Sequence, residues 1–228
     1  MKSQGFVVCL ALAAVLSVAC GRHRPTARTP APPRTGPGTS VPRSVEPGYT
    51  EVGYASWYGD PYHGRRAANG EIYDKNQLTA AHLTLPFGTM TKVTNLENDR
   101  SVVVRITDRG PFVKGRIIDL SQAAASRVAL IGPGTALVRL EVLSAGPNSD
   151  NGSFAVQVGA FRDRSNAERL REQLQARYGN AVVENYASTQ GLLYRVRVGP
   201  KRSLAEAQQL ARQLGTDQME TFVVRVDN

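Results

Sequence analysis

The run Val102-Val-Val-Arg-Ile106 is apolar on both faces except at Arg105. A strand of that kind must be covered on each side, which points to the interior of a barrel or sandwich. Its neighbours read as further short strands: Gly53–Tyr58, Thr89–Asn95, Ser101–Asp108, Arg116–Asp119 and Thr135–Val142. One helix is expected near Ser121–Val128, with Ser121 as its N-cap. Gly88, Gly110 and Gly134 punctuate the strand ends, and Asn98-Asp99 suits a hairpin tip. Segment 51–143 is therefore expected to be all-β.

The C-terminal segment, 153–228, has a different rhythm. Strand Phe154–Ala160, helix Ser165–Arg177, strands Ala181–Tyr186 and Leu192–Val198, helix Ser203–Leu214 and strand Thr221–Val226 give the order βαββαβ. Ser165 and Ser203 are each followed three residues later by Glu168 and Glu206, the pattern of a capping box. Reading every second residue puts Phe154, Val156 and Val158, Tyr194, Val196 and Val198, and Phe222, Val224 and Val226 against the helices. Gln157, Arg195, Arg197 and Arg225 are then expected to line an open sheet face.

Between and before these folds lie two breaks. Residues 144–152 hold no large apolar side chain and read as a linker. Residues 20–50 read as a solvated tether: they hold seven of the thirteen prolines and five arginines against the single Glu46. This stretch is the most basic part of a chain whose net charge is +9, so nucleic acid is a poor explanation of the charge and an anionic envelope a better one. Residues 1–19 have the basic start and short apolar core of a secretory signal, too short to span a bilayer. Cys9 and Cys20 are the only cysteines, which excludes a disulfide scaffold and a cysteine-built zinc site. The three histidines lack metal-ligand spacing, and no Gly-x-Ser-x-Gly turn is present, so neither a metal nor another cofactor is expected.

Four pieces of the first fold carry chemistry. They are Gly53-Tyr-Ala-Ser-Trp-Tyr-Gly59 with His63-Gly-Arg-Arg-Ala-Ala-Asn-Gly-Glu71, Leu78-Thr-Ala-Ala-His82, Thr107-Asp-Arg-Gly-Pro-Phe112, and Arg116-Ile-Ile-Asp-Leu-Ser121. Read from the residues alone, Asp108 either projects into a groove as a proton donor, or caps the Arg109-Gly110 turn or pairs with Arg109 or Arg105. His82 is either a partner for a carboxyl or a structural histidine, Glu71 is by default solvated, and Asp119 reads as structural. Trp57 is either a sugar platform or core, with Tyr58 and Tyr54 as further stacking candidates. Arg65 and Arg66 read as groove or surface charges.

Together the four pieces resemble the double-psi β-barrel of the rare lipoprotein A family, whose characterised members include septal lytic transglycosylases. The barrel is also similar to that of expansins. Segment 153–228 is similar to the SPOR domain, which binds septal peptidoglycan, although Lys201 stands where an aromatic is usual. The resemblance implies catalytic roles for Asp108, His82 and Glu71, and substrate contacts from Trp57, Tyr58 and Arg65. It implies a lytic transglycosylase that cleaves the bond between N-acetylmuramic acid and N-acetylglucosamine and closes a 1,6-anhydro ring on the former. One carboxyl, Asp108, would give up a proton and then reclaim one from the sugar's own C6 hydroxyl. His82 would orient it, and Glu71 would stabilise positive charge at C1.

The partners implied are glycan strands stripped of stem peptides, whose free lactyl carboxylates suit Gln157, Arg195, Arg197 and Arg225. Divisome proteins are further candidates. The small residue before Cys20 resembles a lipobox, which implies diacylation of Cys20 and anchoring in the envelope. Gly21 leans this towards the outer membrane, facing the periplasm, with enrichment at the division septum. The competing reading is an expansin-like lipoprotein that binds wall glycan without cleaving it.

Overall fold

The computed structural model describes residues 45–147, 152–188, 191–215 and 220–226. Cys20, with the expected signal and tether up to residue 44, lies outside the described residues, as do positions 148–151 of the linker.

The first fold is a closed barrel of six strands: β1 (Thr50–Tyr58), β2 (Thr79–His82), β3 (Met90–Asn95), β4 (Ser101–Asp108), β5 (Arg116–Ser121) and β6 (Ala136–Ser144). They close in the order β1-β5-β2-β4-β3-β6. Two pairs, β1 with β5 and β2 with β4, run parallel, and the other ladders are antiparallel. Closure leaves no free sheet edge. Inward residues alternate with outward ones: Val102, Val104 and Ile106 of β4, Val93 of β3, and Val138, Leu140 and Val142 of β6 are all buried in one core. Val103, expected inside, faces out at 39% exposure, because only one face of a barrel strand meets the interior.

Helix α1 (Gln122–Arg127) plugs one end with Ala124 and Ala125. Its N-cap is Ser121, whose hydroxyl accepts the Ala124 N–H at 3.2 Å and donates to the Gln77 carbonyl at 2.6 Å. Strand β2 has no counterpart in the sequence reading. Its four residues, Thr-Ala-Ala-His, are buried throughout, since β4 and β5 flank it and both its faces are covered. Small residues with no alternation carry no period-2 signal.

The second fold is a four-stranded antiparallel sheet in the order β10-β7-β9-β8, built from β7 (Phe154–Phe161), β8 (Ala181–Ser188), β9 (Gly191–Lys201) and β10 (Phe222–Arg225). Helices α2 (Arg164–Tyr178) and α3 (Leu204–Gly215) cover one face. Val156, Val158, Val196 and Val198 pack there with Leu174, Leu210 and Leu214. The N-cap of α2 is Asp163 rather than Ser165: its carboxylate accepts the N–H groups of Ser165 and Asn166. Ser203 does cap α3, its hydroxyl accepting the Glu206 N–H at 3.2 Å.

Strand β10 is turned over relative to expectation. Its register sets Phe222 opposite Gln157, Val223 opposite Val156 and Arg225 opposite Phe154. Val223 therefore joins the helix-side core, while Phe222 meets the barrel residue Phe112 edge-on at 5.8 Å. Phe-Val-Val-Arg is apolar at three successive positions, so its parity could not be read, and a one-residue slip exchanges faces. Arg225 consequently shares a face with Phe154, its guanidinium 5.5 Å from that ring.

The expected open face is not open. Gln157, Arg197 and Arg225 are only 4%, 9% and 3% exposed. Gln157 lines a cleft against the barrel, Arg197 is held by Glu184, and Arg225 lies over Phe154 on a strand whose backbone bonds the barrel: the Arg225 N–H donates to the Leu83 carbonyl at 2.9 Å, and Arg109 Nε donates to the Arg225 carbonyl at 3.1 Å. Arg65 Nη1 reaches the Ser188 carbonyl at 2.9 Å, which makes it a bridge between the folds rather than a groove charge.

Candidate active site

Three strands bring the chemistry together. Ala81 of β2 pairs with Asp108 of β4 on one side and Asp119 of β5 on the other. The two carboxylates thus flank one alanine in a row across β4, β2 and β5, about two strand spacings apart. By strict alternation from Val102, Val104 and Ile106, Asp108 would point inwards. The β2–β4 ladder shifts register between Ala80 and Ala81, and this irregularity re-aims the strand end towards the rim. In β5, Ile118 and Leu120 face the core, so Asp119 between them faces the cleft.

Both carboxylates line a cleft of about 360 Å³, together with Tyr58, Tyr62, Arg109, Phe112 and Arg116 from the barrel. The sheet of the second fold supplies Gln157, Ala160, Tyr186 and Arg195 as its facing wall. A second hollow, lined by the barrel residues Ser56, Trp57, Gly59 and Asp60 among others, shares Tyr58, Tyr62, Arg116 and Asp119 with the first. The two form one groove with Asp119 at the junction. One lobe is roofed by the sheet and the other is bounded by the barrel alone.

Burial raises the pKa of both acids above the ordinary Asp value. For Asp108 the rise is opposed by the N–H groups of Arg109 and Ala68, which donate to Oδ1 at 2.8 and 3.0 Å, and by the charges of Arg195 and Arg109. For Asp119 it is opposed by the Ser56 hydroxyl, which donates to Oδ1, and by Arg116; the negative charge of Asp108 reinforces it. Arg116 in turn donates to Ser56 Oγ at 2.8 Å, fixing that hydroxyl's direction. The two carboxyls stand about two strand spacings apart, and the negative charge of Asp108 is a further reason for the proton to stay on Asp119. A carboxyl raised in this way holds its proton to higher pH, as a group that gives up a proton and takes it back requires.

His82 and Glu71 do not line this cleft. His82 is buried, and its Nδ1 accepts the N–H groups of Thr84 and Leu85 at 3.1 and 3.0 Å. That leaves the ring hydrogen on Nε2, 3.2 Å from Glu51 Oε2. The turn so formed presents the His82 and Leu85 carbonyls to Arg109 Nη1 at 3.3 and 2.9 Å, with the same guanidinium 3.6 Å above the Phe87 ring. Glu71 holds Arg105 through both oxygens at 2.8 Å, which lowers its pKa. Its own loop carries Ala68, the amide that binds Asp108. Both residues therefore reach the acids through the backbone around them.

Tyr58 lines both lobes, but Tyr73 stacks on it at 4.3 Å and Tyr62 meets it edge-on at 5.7 Å. Trp57 lines the barrel-bounded lobe while packing partly against the core, so platform and core are not exclusive. Arg197 is held by Glu184 at 2.6 Å and does not line the cleft. Asp119, Arg116 and Tyr62 are the cleft residues that sequence reasoning misses. Asp119 has one signal, a lone acid between two inward-facing apolar residues of a short strand.

The family described as lytic transglycolase matches residues 50–140, and the SPOR domain family matches residues 150–225. The chain is 45% identical over 176 residues to the endolytic peptidoglycan transglycosylase RlpA of Campylobacter jejuni, covering 66% of this chain and 62% of that one. It is 42% identical to the protein of that name from Vibrio cholerae, covering 67% and 60%. To the one from Neisseria meningitidis serogroup A it is 37% identical, covering 75% of each. The chain thus spans about 60% of the length of the first two relatives.

Proposed function

The chain belongs to the rare lipoprotein A (RlpA) family, and on that premise we propose that its barrel is a peptidoglycan lytic transglycosylase. The observation that carries this reading is the Asp108–Ala81–Asp119 row, with both acids raised by burial along an extended groove. The substrate is a glycan strand lying along that groove with the bond between N-acetylmuramic acid and N-acetylglucosamine at the acids.

Asp119 protonates the oxygen leaving C1, and the C1–O bond breaks. Asp108, whose Oδ1 accepts from two backbone amides, faces as a carboxylate the positive charge that develops at C1. The C6 hydroxyl of the same sugar then bonds to C1, and its proton returns to Asp119, which restores the starting state. No external water enters, and the attack gains from being intramolecular. The proton part that the sequence reading gave to Asp108 passes in this proposal to Asp119, with Asp108 beside it as the anion. His82 and Glu71 serve as positioning residues.

The remaining parts of the proposal follow from the sequence. Acylation of Cys20 would hold the protein in the cell envelope, facing the periplasm from the outer membrane. Strands without stem peptides, enriched at the septum, fit a cleft walled on two sides, and divisome proteins are candidate neighbours. The test is direct. Residues 45–228 incubated with denuded glycan should release products ending in 1,6-anhydro-N-acetylmuramic acid, identified by mass. Glycan that co-sediments with the protein but stays uncut would favour the expansin-like reading instead.

Glu71→Gln probes the positioning role. An exposed ion pair contributes about 1 kcal/mol or less to stability, so the melting temperature should hardly move. Release of anhydro product should nevertheless fall several-fold, because the loop carrying Ala68 loses its tie to Arg105. Unchanged release would confine Glu71 to the surface.

A further inference from the structure

The guanidinium of Arg195 comes from β9 of the second fold, yet it lines the same cleft as Asp108 and Asp119 of the barrel. It lies 3.2 Å from the centroid of the Tyr186 ring and 4.8 Å from that of Phe112. The other arginines around it are engaged. Arg197 is paired with Glu184, Arg109 holds three carbonyls, and Arg116 holds Ser56. Among the described residues, no carboxylate comes within 4 Å of Arg195. Asp108 acts on it only from beyond contact, so this partly desolvated cation against two rings, with no carboxylate touching it, is a site made for one.

Resting on the reading above, we propose that Arg195 determines specificity within the catalytic cleft itself. It binds a carboxylate carried by the sugar next to the scissile bond, the 3-O-lactyl group of a muramyl residue. Cleavage site and wall-binding face are then one composite site. The SPOR sheet does more than bring the barrel to its substrate; it supplies the anion-reading wall opposite the acids. The aromatic pair fixes the guanidinium plane, so that a planar carboxylate can be met by two parallel N–H groups.

A residue that only tethers and one that lines the cleft differ on short substrates. The experiment uses residues 45–228 and a soluble denuded oligosaccharide, in parallel with the same oligosaccharide whose lactyl carboxylates are converted to amides. Arg195→Ala should lower kcat/KM on the carboxylate form by about 10- to 100-fold, the range of a charge-assisted hydrogen bond. On the amide form wild type should already be slow, and the substitution should change little. Arg195→Lys should recover part of the carboxylate preference, since it keeps the charge but not the fork.

An equal loss on both forms would mean that the substitution merely disturbs the interface, and the proposal fails. It fails equally if kcat/KM on the carboxylate form is unchanged, or if it rises because the sheet had been obstructing the cleft. Binding separates this from failure of the transglycosylase reading. In an Asp119→Asn background, calorimetric titration with the two oligosaccharides should show the same dependence on Arg195 even if wild type releases no anhydro product. If, in that background, adding Arg195→Ala leaves the affinity for the carboxylate form unchanged, the anion site is overturned whatever the chemistry.

Discussion

Asp119→Asn is expected to slow release of anhydro-ended glycan by about a thousandfold, within the range general acid–base catalysis supplies, while the chain stays folded. The amide keeps the shape of the side chain and can still accept from Ser56, but it has no proton to give. The same substitution should raise the melting temperature at pH 7. Burial lifts the folded-state pKa of Asp119 above its ordinary value. The folded state therefore binds the proton more tightly than the unfolded chain does. That contribution to stability is complete below the unfolded pKa and is lost as pH climbs through the folded one. Above the ordinary Asp pKa, keeping this acid buried is a cost that Asn removes. The gain should shrink as the solution is acidified below the ordinary Asp range, and a thermal melt series from pH 3 to 8 reads it. An inactive variant that melts higher at pH 7 fits a strained acid site; one that melts lower would make Asp119 a structural anchor.

Asp108→Asn separates the two acids. Removing its charge takes away one of the influences that raise Asp119. The proton on Asp119 is then lost at lower pH, so the descending limb of the pH–rate profile should move to more acid values. If the limb stays where it is and only the rate falls, the two carboxyls act independently.

How much of this was legible in the residues depended on whether a side chain's direction followed from its own strand. The inward row Val102, Val104 and Ile106 and the cap at Ser121 were readable because alternation and hydroxyl chemistry are local. Asp108 could be singled out as the last residue of an apolar strand before a Gly-Pro turn. Its alignment with Asp119 could not, because that depends on β2, a strand of small residues with no period, and on a register shift within it. His82 was visible as a buried-type histidine after Ala80-Ala81, but its partner Glu51 lies thirty-one positions away on β1, with β5 between the two strands. The open face assigned to Gln157, Arg195, Arg197 and Arg225 failed for a related reason. Two sheets read separately give no sign that one covers the other, and polar side chains look solvent-facing until the covering surface is known.

His82→Ala should be the most destabilising change around the site. It removes the acceptor for two backbone N–H groups and the partner of a half-buried carboxylate, Glu51. Leaving such groups unsatisfied costs about 1–3 kcal/mol each, so a loss of at least about 3 kcal/mol is expected. It should depend on pH in a defined direction. Glu51 has its pKa held below the ordinary value, with the His82 ring and the Tyr49 hydroxyl acting against its burial. A lowered acid stabilises the fold above its unfolded pKa and loses that effect as pH falls through the folded value. The gap between wild type and His82→Ala should accordingly narrow in acid. The catalytic consequence travels by a separate route: the turn at Thr84 and Leu85 sets the carbonyls that hold Arg109, and the Arg109 amide binds Asp108. Assayed well below its melting temperature, the variant should still show a kcat reduced by about tenfold or more, in the range that misplacement of a catalytic group produces. If correcting for the folded fraction restores the full rate, His82 stabilises the barrel and has no hand in positioning the acids.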